Sequence, residues 1–190
     1  MPRDRFPLTT GSRKLIHTVG VRYGWLETGG EGKRGMDGLR AVANREVTKV
    51  TLEGVPDRPG IAAEIFGALG QQGFNIELVV STGGSHGTAE ISLAITRSQE
   101  VAVIRALESI RRDVGARGLY RDSTVALVSL TGSCLSNEPG IAGRMFGAIS
   151  RNGVNIEVIS TSPSSVICMI HERDVPVAME ALRREFDLKD

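Results

Sequence analysis

Apolar and polar positions follow two rhythms along this chain, and the rhythms alternate in a regular order. LRAVA (residues 39–43) reads as a short strand, NRE as a turn, and VTKVTLEG as an alternating strand with Val47, Lys49 and Thr51 on one side. VPDRPG is a run of turn formers. Beyond it Ile61, Ala62, Ile65, Phe66 and Leu69 recur at helical spacing over about residues 59–72, and Gly73 stands where a C-terminal cap belongs. FNIELVVS, TGGSHG and TAEISLAIT predict a strand, a hairpin loop and a returning strand. Ser98 can cap a second helix carrying Val101, Ile104, Leu107 and Ile110, and ARGLY reads as a closing strand. The order is βαββαβ, a ferredoxin-like split unit.

The same order then starts again. TVALVSLTG is a strand, SCLSNEPG a turn two residues longer than its counterpart, and residues 139–152 a helix. VNIEVIST and SVICMI follow as strands joined by a hairpin containing Pro163. Asp174 caps a last helix that tolerates Pro176 in its first turn and turns Val175, Met179, Leu182 and Phe186 inward. Residues 59–77 and 139–157 are identical at eleven of nineteen positions, so the chain is an internal duplication. The expected fold is α+β: two ferredoxin-like βαββαβ units packed side by side, spanning residues 45–122 and 123–190. The second lacks a fourth strand and the first has a surplus one before it, which leads to the expectation that residues 39–43 complete the second sheet.

Composition narrows the function. The 190 residues carry a net charge of +1, but residues 1–35 hold seven Lys/Arg against three acids, and the remainder 16 against 19. A near-neutral body offers no electrostatic footprint for nucleic acid, and no apolar run reaches the length of a membrane span. Cys134 and Cys168 suggest neither a metal site nor a disulfide, and point to a reducing, cytoplasmic setting. Residues 1–38, punctuated by glycine and holding the sole tryptophan, Trp25, read as a flexible leading segment. His17, His86 and His171 lie on separate segments without a helpful acid or thiol. GGEGKR fails as a phosphate-binding loop, because Glu27 and Arg34 stand where glycine and Ser/Thr belong. No catalytic residue, metal or cofactor is expected.

The chemistry on offer is binding. The DRPG and NEPG turns feed helices whose first N–H groups lack internal partners, and Gly60 and Gly140 admit a ligand close to the backbone. Such a turn suits the carboxylate of an amino acid, with Asp57, Asn75 and Asn155 as candidates for its ammonium. The same residues also serve as plain turn formers and helix starters, and spacing alone leaves both readings open. Glu77 and Glu157, identical between the copies, read as carboxylates on a solvated strand face.

VTLEGVPDRPGIAAEIFGALGQQGFNIELV with HGTAEISLAITRS, and VSLTGSCLSNEPGIAGRMFGAISRNGVNIEVISTS, resemble the paired ACT domains of aspartokinase over about residues 39–188. The resemblance implies a non-catalytic regulatory chain whose effector, lysine or threonine, binds where ACT units pack side by side. It implies a homodimer through these units and a separate aspartokinase catalytic chain as partner. Carried over by motif, the effector pocket comprises Asp57, Pro59, Gly60, Ile61, Ala62, Asn75, Ile76 and Ser81, with Pro139, Gly140, Ile141, Asn155, Ile156 and Ser162 from the second copy. The family usually has glutamine and asparagine where this chain has Ser81 and Thr82, and often an acid at Pro163. Two other readings are a free-standing amino-acid sensor for another enzyme, such as acetolactate synthase, and an assembly module with non-functional pockets.

Overall fold

A computed structural model describes residues 38–83 and 87–188. The expected flexible leader, with Trp25, His17 and the GGEGKR stretch, lies outside the described residues apart from Gly38, and so does His86 of the first hairpin. The chain runs β1 (Arg40–Asn44), β2 (Val47–Pro56), α1 (Ile61–Gln71), β3 (Ile76–Gly83), β4 (Thr88–Thr96), α2 (Glu100–Val114) and β5 (Gly118–Asp122). It then runs β6 (Val125–Thr131), α3 (Ile141–Arg151), β7 (Ile156–Ser162), β8 (Ser165–His171) and α4 (Val175–Phe186).

Two four-stranded antiparallel sheets result, ordered β3-β4-β2-β5 and β1-β6-β8-β7. The second sheet takes its outer strand from ahead of the first repeat: Arg40 pairs with Thr131 and Asn44 with Leu127. Each sheet carries two helices on one face. Alternation in β2 turns Val50 and Leu52 toward α1 and α2, where they pack with Ile65, Leu69, Val103 and Leu107. The alternation breaks at Gly54. Its φ of 65° and the register shift between Leu52 and Val55 make a bulge, which returns Val55 to the core. A Cβ there would sit 2.1 Å from Arg117 Nε, so the bulge also needs a residue without a side chain.

The second core is built alike, with Val128, Leu130, Cys168 and Ile170 of the sheet beneath Met145, Ile149, Ala178 and Leu182. The helix-free faces are not left to solvent. Val47, Leu78 and Ala94 of the first sheet form one cluster with Val125, Leu127 and Met169 of the second, so the repeats adjoin through their sheet faces.

Several local expectations need correction. Val101 is 73% exposed, and the inward face of α2 is Val103, Ala106, Leu107, Ile110 and Val114. A stripe drawn at intervals of three drifts about 60° around the helix at each step, whereas steps of three and four alternately stay on one face. Ser98 does not cap α2; it lies within a 3₁₀ turn, Arg97–Gln99, and Gln99 takes the cap position without a side-chain bond. Asp174 occupies the α4 cap position but its carboxylate makes no capping bond, lying instead 3.6 Å from Arg173 Nε. Ala62, expected on the inward face of α1, is exposed, and Ile61, Ile65 and Leu69 alone form its buried stripe.

Candidate functional site

The two turns that open α1 and α3 share a backbone. Gly60 and Gly140 each hold φ 89°, a left-handed conformation that glycine adopts without strain, and neither provides a side-chain cap. The first intrahelical bonds are Glu64 N–H to Gly60 O and Arg144 N–H to Gly140 O, each 3.0 Å. Ile61 N–H donates back to Arg58 O at 3.3 Å, which leaves Ala62 and Ala63 in the first turn, and Ile141, Ala142 and Gly143 in the second, with N–H groups that have no helical acceptor. Asp57, Pro59, Gly60, Pro139 and Gly140 are exposed around these turns, while Ile61 and Ile141 are buried and anchor the helix starts to the cores.

Side chains distinguish the turns. Arg58 donates from Nη1 and Nη2 to the two carboxylate oxygens of Glu64, both at 2.7 Å. That hydrogen-bonded pairing raises the Arg58 pKa and lowers that of Glu64. In the second repeat Arg144 turns to α4, donating from Nε to Glu185 Oε1 and from Nη2 to Glu185 O, both at 2.9 Å, and covering the Phe186 ring at 4.6 Å.

Each repeat places its own candidates at two opposite ends. Asp57 N–H bonds Gly87 O at 2.9 Å, beside the β3–β4 hairpin, and Ser81 on β3 pairs with Ile91 near that end. Asn75 precedes Ile76, which pairs with Ile95 at the far end of β4. Seven residues separate Thr88 from Ile95, roughly 23 Å of strand. In the second repeat Asn155 and Ile156 lie at the opposite end of β7 from Ser162, since Ile156 pairs with Ile170 and Ser162 with Ser165, five residues or roughly 17 Å of strand apart. Ser162 is engaged in its own hairpin, where its Oγ accepts from Ser165 N–H at 3.0 Å and contacts Ser165 Oγ at 2.8 Å. Asn75, Ser81, Asn155 and Ser162 are exposed, and Ile76 and Ile156 are half-buried.

Two surface grooves lie elsewhere. One, of about 490 Å³, runs between α3 and α4 past Arg151, Glu180 and Arg184; the other, of about 410 Å³, separates β1 from α4. No candidate effector residue lines either groove. Ile76 and Ser81 lie on β3, and Ile156 and Ser162 on β7; these are outer strands of their sheets, each paired on one edge only among the described residues. Val79 and Ile159, at matching positions of those strands, are 42% and 47% exposed.

Glu157 is not the plain solvated carboxylate that its strand position suggests: it accepts from Lys49 Nζ of the first repeat at 2.8 Å. Glu77 accepts from the Thr96 hydroxyl at 3.4 Å. Arg97 and Glu172, unremarked in the sequence, also pair across the repeats at 3.1 Å. Opposite charges on Lys49 and Glu157 were visible in the sequence, but their pairing depends on how the sheets meet. Burial pushes the Cys168 thiol up to about 12, which leaves it inert at neutral pH. Among the described residues, no helix is long and apolar enough to cross a membrane.

Comparison with known proteins is consistent across sequence and structure. Residues 50–112 and 128–186 each match the ACT domain. Aspartate kinase of Pseudomonas fluorescens (strain SBW25) is 32% identical over 145 residues, covering 76% of this chain and 35% of the kinase. The chain thus spans about a third of the length of such curated relatives. A structure of aspartokinase alpha and beta subunits matches with TM-score 0.72 and 27% identity, over 78% of this chain and 97% of the matched one. The ligand-free regulatory subunit of aspartate kinase from Thermus thermophilus matches with TM-score 0.72 and 25% identity, over 77% and 96%.

Proposed function

Because the chain belongs to the ACT-domain family and carries two such domains in tandem, similar to the regulatory part of aspartokinases, we propose that it is a non-catalytic regulatory subunit. It binds lysine or threonine and conveys that binding to a separate aspartokinase chain in the cytoplasm, as feedback control of aspartate-family amino-acid synthesis. Residues 45–122 and 123–190 act as the two effector-binding domains, the second completed by the strand ahead of the first.

The observation that carries this reading is the separation of the half-sites along free sheet edges. Antiparallel pairing of β3 with β3 of a second copy reverses one edge against the other. Asn75 and Ile76 of one copy then come beside Ser81 and the Asp57–Ala62 turn of its partner. The turn's free N–H groups supply donors for an α-carboxylate, and Asp57 with Asn75 receives the ammonium. The β7 edges pair likewise, bringing Asn155 and Ile156 to the Pro139–Ile141 turn and Ser162. Exposed Val79 and Ile159 become covered in such a dimer. An effector seated between two copies binds the paired arrangement better than the open one, and this difference is the free energy available to hold a kinase inactive. Such coupling amounts to about 1–3 kcal/mol.

Calorimetric titration with lysine, threonine, methionine and the branched-chain amino acids tests the assignment, alongside sedimentation of the same samples. Lysine or threonine is expected to bind a dimer, and Asp57→Ala and Asn75→Ala are each expected to weaken binding at least about tenfold. Absence of binding by the chain alone and with an aspartokinase catalytic chain added would overturn the effector role and favour a pure assembly module. Binding of branched-chain amino acids only would favour a sensor for a different enzyme.

A further inference from the structure

The chain crosses between the two repeats twice, at residues 44–47 from β1 into β2 and at residues 122–125 from β5 into β6. Both crossings meet at Arg97. Its backbone N–H donates to Glu46 O at 2.8 Å, and its Nη2 donates to Val47 O at 3.3 Å, holding the first crossing. The same Nη2 reaches Ser123 O of the second crossing at 2.9 Å and Glu172 Oε2 at 3.1 Å.

Glu172 is the counterpart of Arg97. Each opens the 3₁₀ turn that follows the third core strand of its repeat, Arg97–Gln99 after β4 and Glu172–Asp174 after β8. The backbone repeats the equivalence, because Glu172 N–H donates to Thr124 O at 2.7 Å as Arg97 N–H does to Glu46 O. Glu46 and Thr124 each directly precede the first strand of their repeat. One structural position, related by the duplication, thus carries a cation in one copy and an anion in the other, and the two meet where the repeats join. Both side chains are only about a third exposed, at 31% and 34%, and Val47 and Val125 of the shared apolar cluster start the adjacent strands.

We propose that Arg97 and Glu172 form the lock that sets the first repeat against the second and makes this sheet face accept only the unlike repeat. Two copies of the first repeat meeting by this face would oppose two arginines, and two copies of the second would oppose two glutamates. The lock leaves the β3 and β7 edges free for association between chains, and it operates whether or not an effector binds.

Hydrogen exchange on the full-length chain tests this, read at the amides of Arg97 and Glu172. Arg97→Glu and Glu172→Arg are each expected to speed exchange at both amides about tenfold or more, with Ile65 and Met145 on α1 and α3 unchanged. The exchanged pair Arg97→Glu/Glu172→Arg is expected to return both amides to within about twofold of the original chain. If Arg97→Glu does not fold, Arg97→Met removes the attraction without adding repulsion and is read by the same two amides. Original exchange rates in the single variants would overturn the proposal, and so would a double variant as fast as the faster single one.

Discussion

The turns DRPG and NEPG occupy the same place in two copies of one fold, yet their charges are exchanged. Counting back from the shared proline, Arg58 corresponds to Glu138, and Glu64 corresponds to Arg144 eighty residues on. In the first repeat the pair closes on itself, Arg58 to Glu64, within a single helix start. In the second, Arg144 leaves its turn and joins Arg151 on Glu185, fastening α3 to α4. A local ion pair in one repeat is replaced by a tie between helices in the other, with charge inverted at both repeated positions. Deeper in, Thr48 is fully buried and its hydroxyl donates to Glu100 Oε2 at 2.7 Å, with Arg121 also on that carboxylate. The corresponding places in the second repeat are apolar, Ala126 and Val175, at 0% and 3% exposure. The first repeat thus has a polar anchor under its second helix where the other has only packing.

The largest effects test what the repeats share. Ile65 and Met145 are equivalent and fully buried. Ile65→Ala and Met145→Ala are each expected to cost about 2–5 kcal/mol in urea unfolding, with one common transition because the repeats also share a core. Two separate transitions in the original chain would break the comparison at its root. Next in size is the tie itself. Glu185→Ala frees two arginines and is expected to cost about 1 kcal/mol, since the pairs are partly exposed. Glu64→Ala is expected to leave the melting temperature within error, because its pair is solvent-screened. Equal losses from the two substitutions would remove the distinction.

The smallest effect is acid sensitivity. The Thr48 hydrogen bond holds the Glu100 carboxyl below its ordinary value, helped by Arg121 and opposed by burial. Its contribution is therefore complete above the unfolded carboxylate value of about 4.3 and is lost as pH falls through the lower folded value. Thr48→Ala with Glu100→Val, the pair found in the second repeat, is expected to flatten the fall in melting temperature between about pH 5 and pH 3. An unchanged slope would show that the anchor does not couple to protons.

Much of the fold was legible because it rests on short-range rules. Strand and helix order followed from period, and the duplication marked matching elements. Errors gathered where one pattern fits two local structures. The interval-of-three stripe through Val101 named the wrong face of α2, and Ser98 looked like a cap because no local signal separates a 3₁₀ entry from a helix start. The candidate residues were readable as turn chemistry. Their placement at opposite strand ends was not, because Asp57 and Asn75 are close in sequence while the intervening helix carries them apart.

The βαββαβ order and the two glycine turns were determined by the sequence alone, because each element depends on residues within about twenty positions of one another, and the repeat showed as direct identity between segments eighty residues apart. The meeting of Arg97 with Glu172 and of Lys49 with Glu157 was decided only in three dimensions. These pairs span 75 and 108 residues, and local propensity carries no information at that range. They exist because two helix-free sheet faces had to bury the same apolar cluster, and that packing selected which charges would face each other.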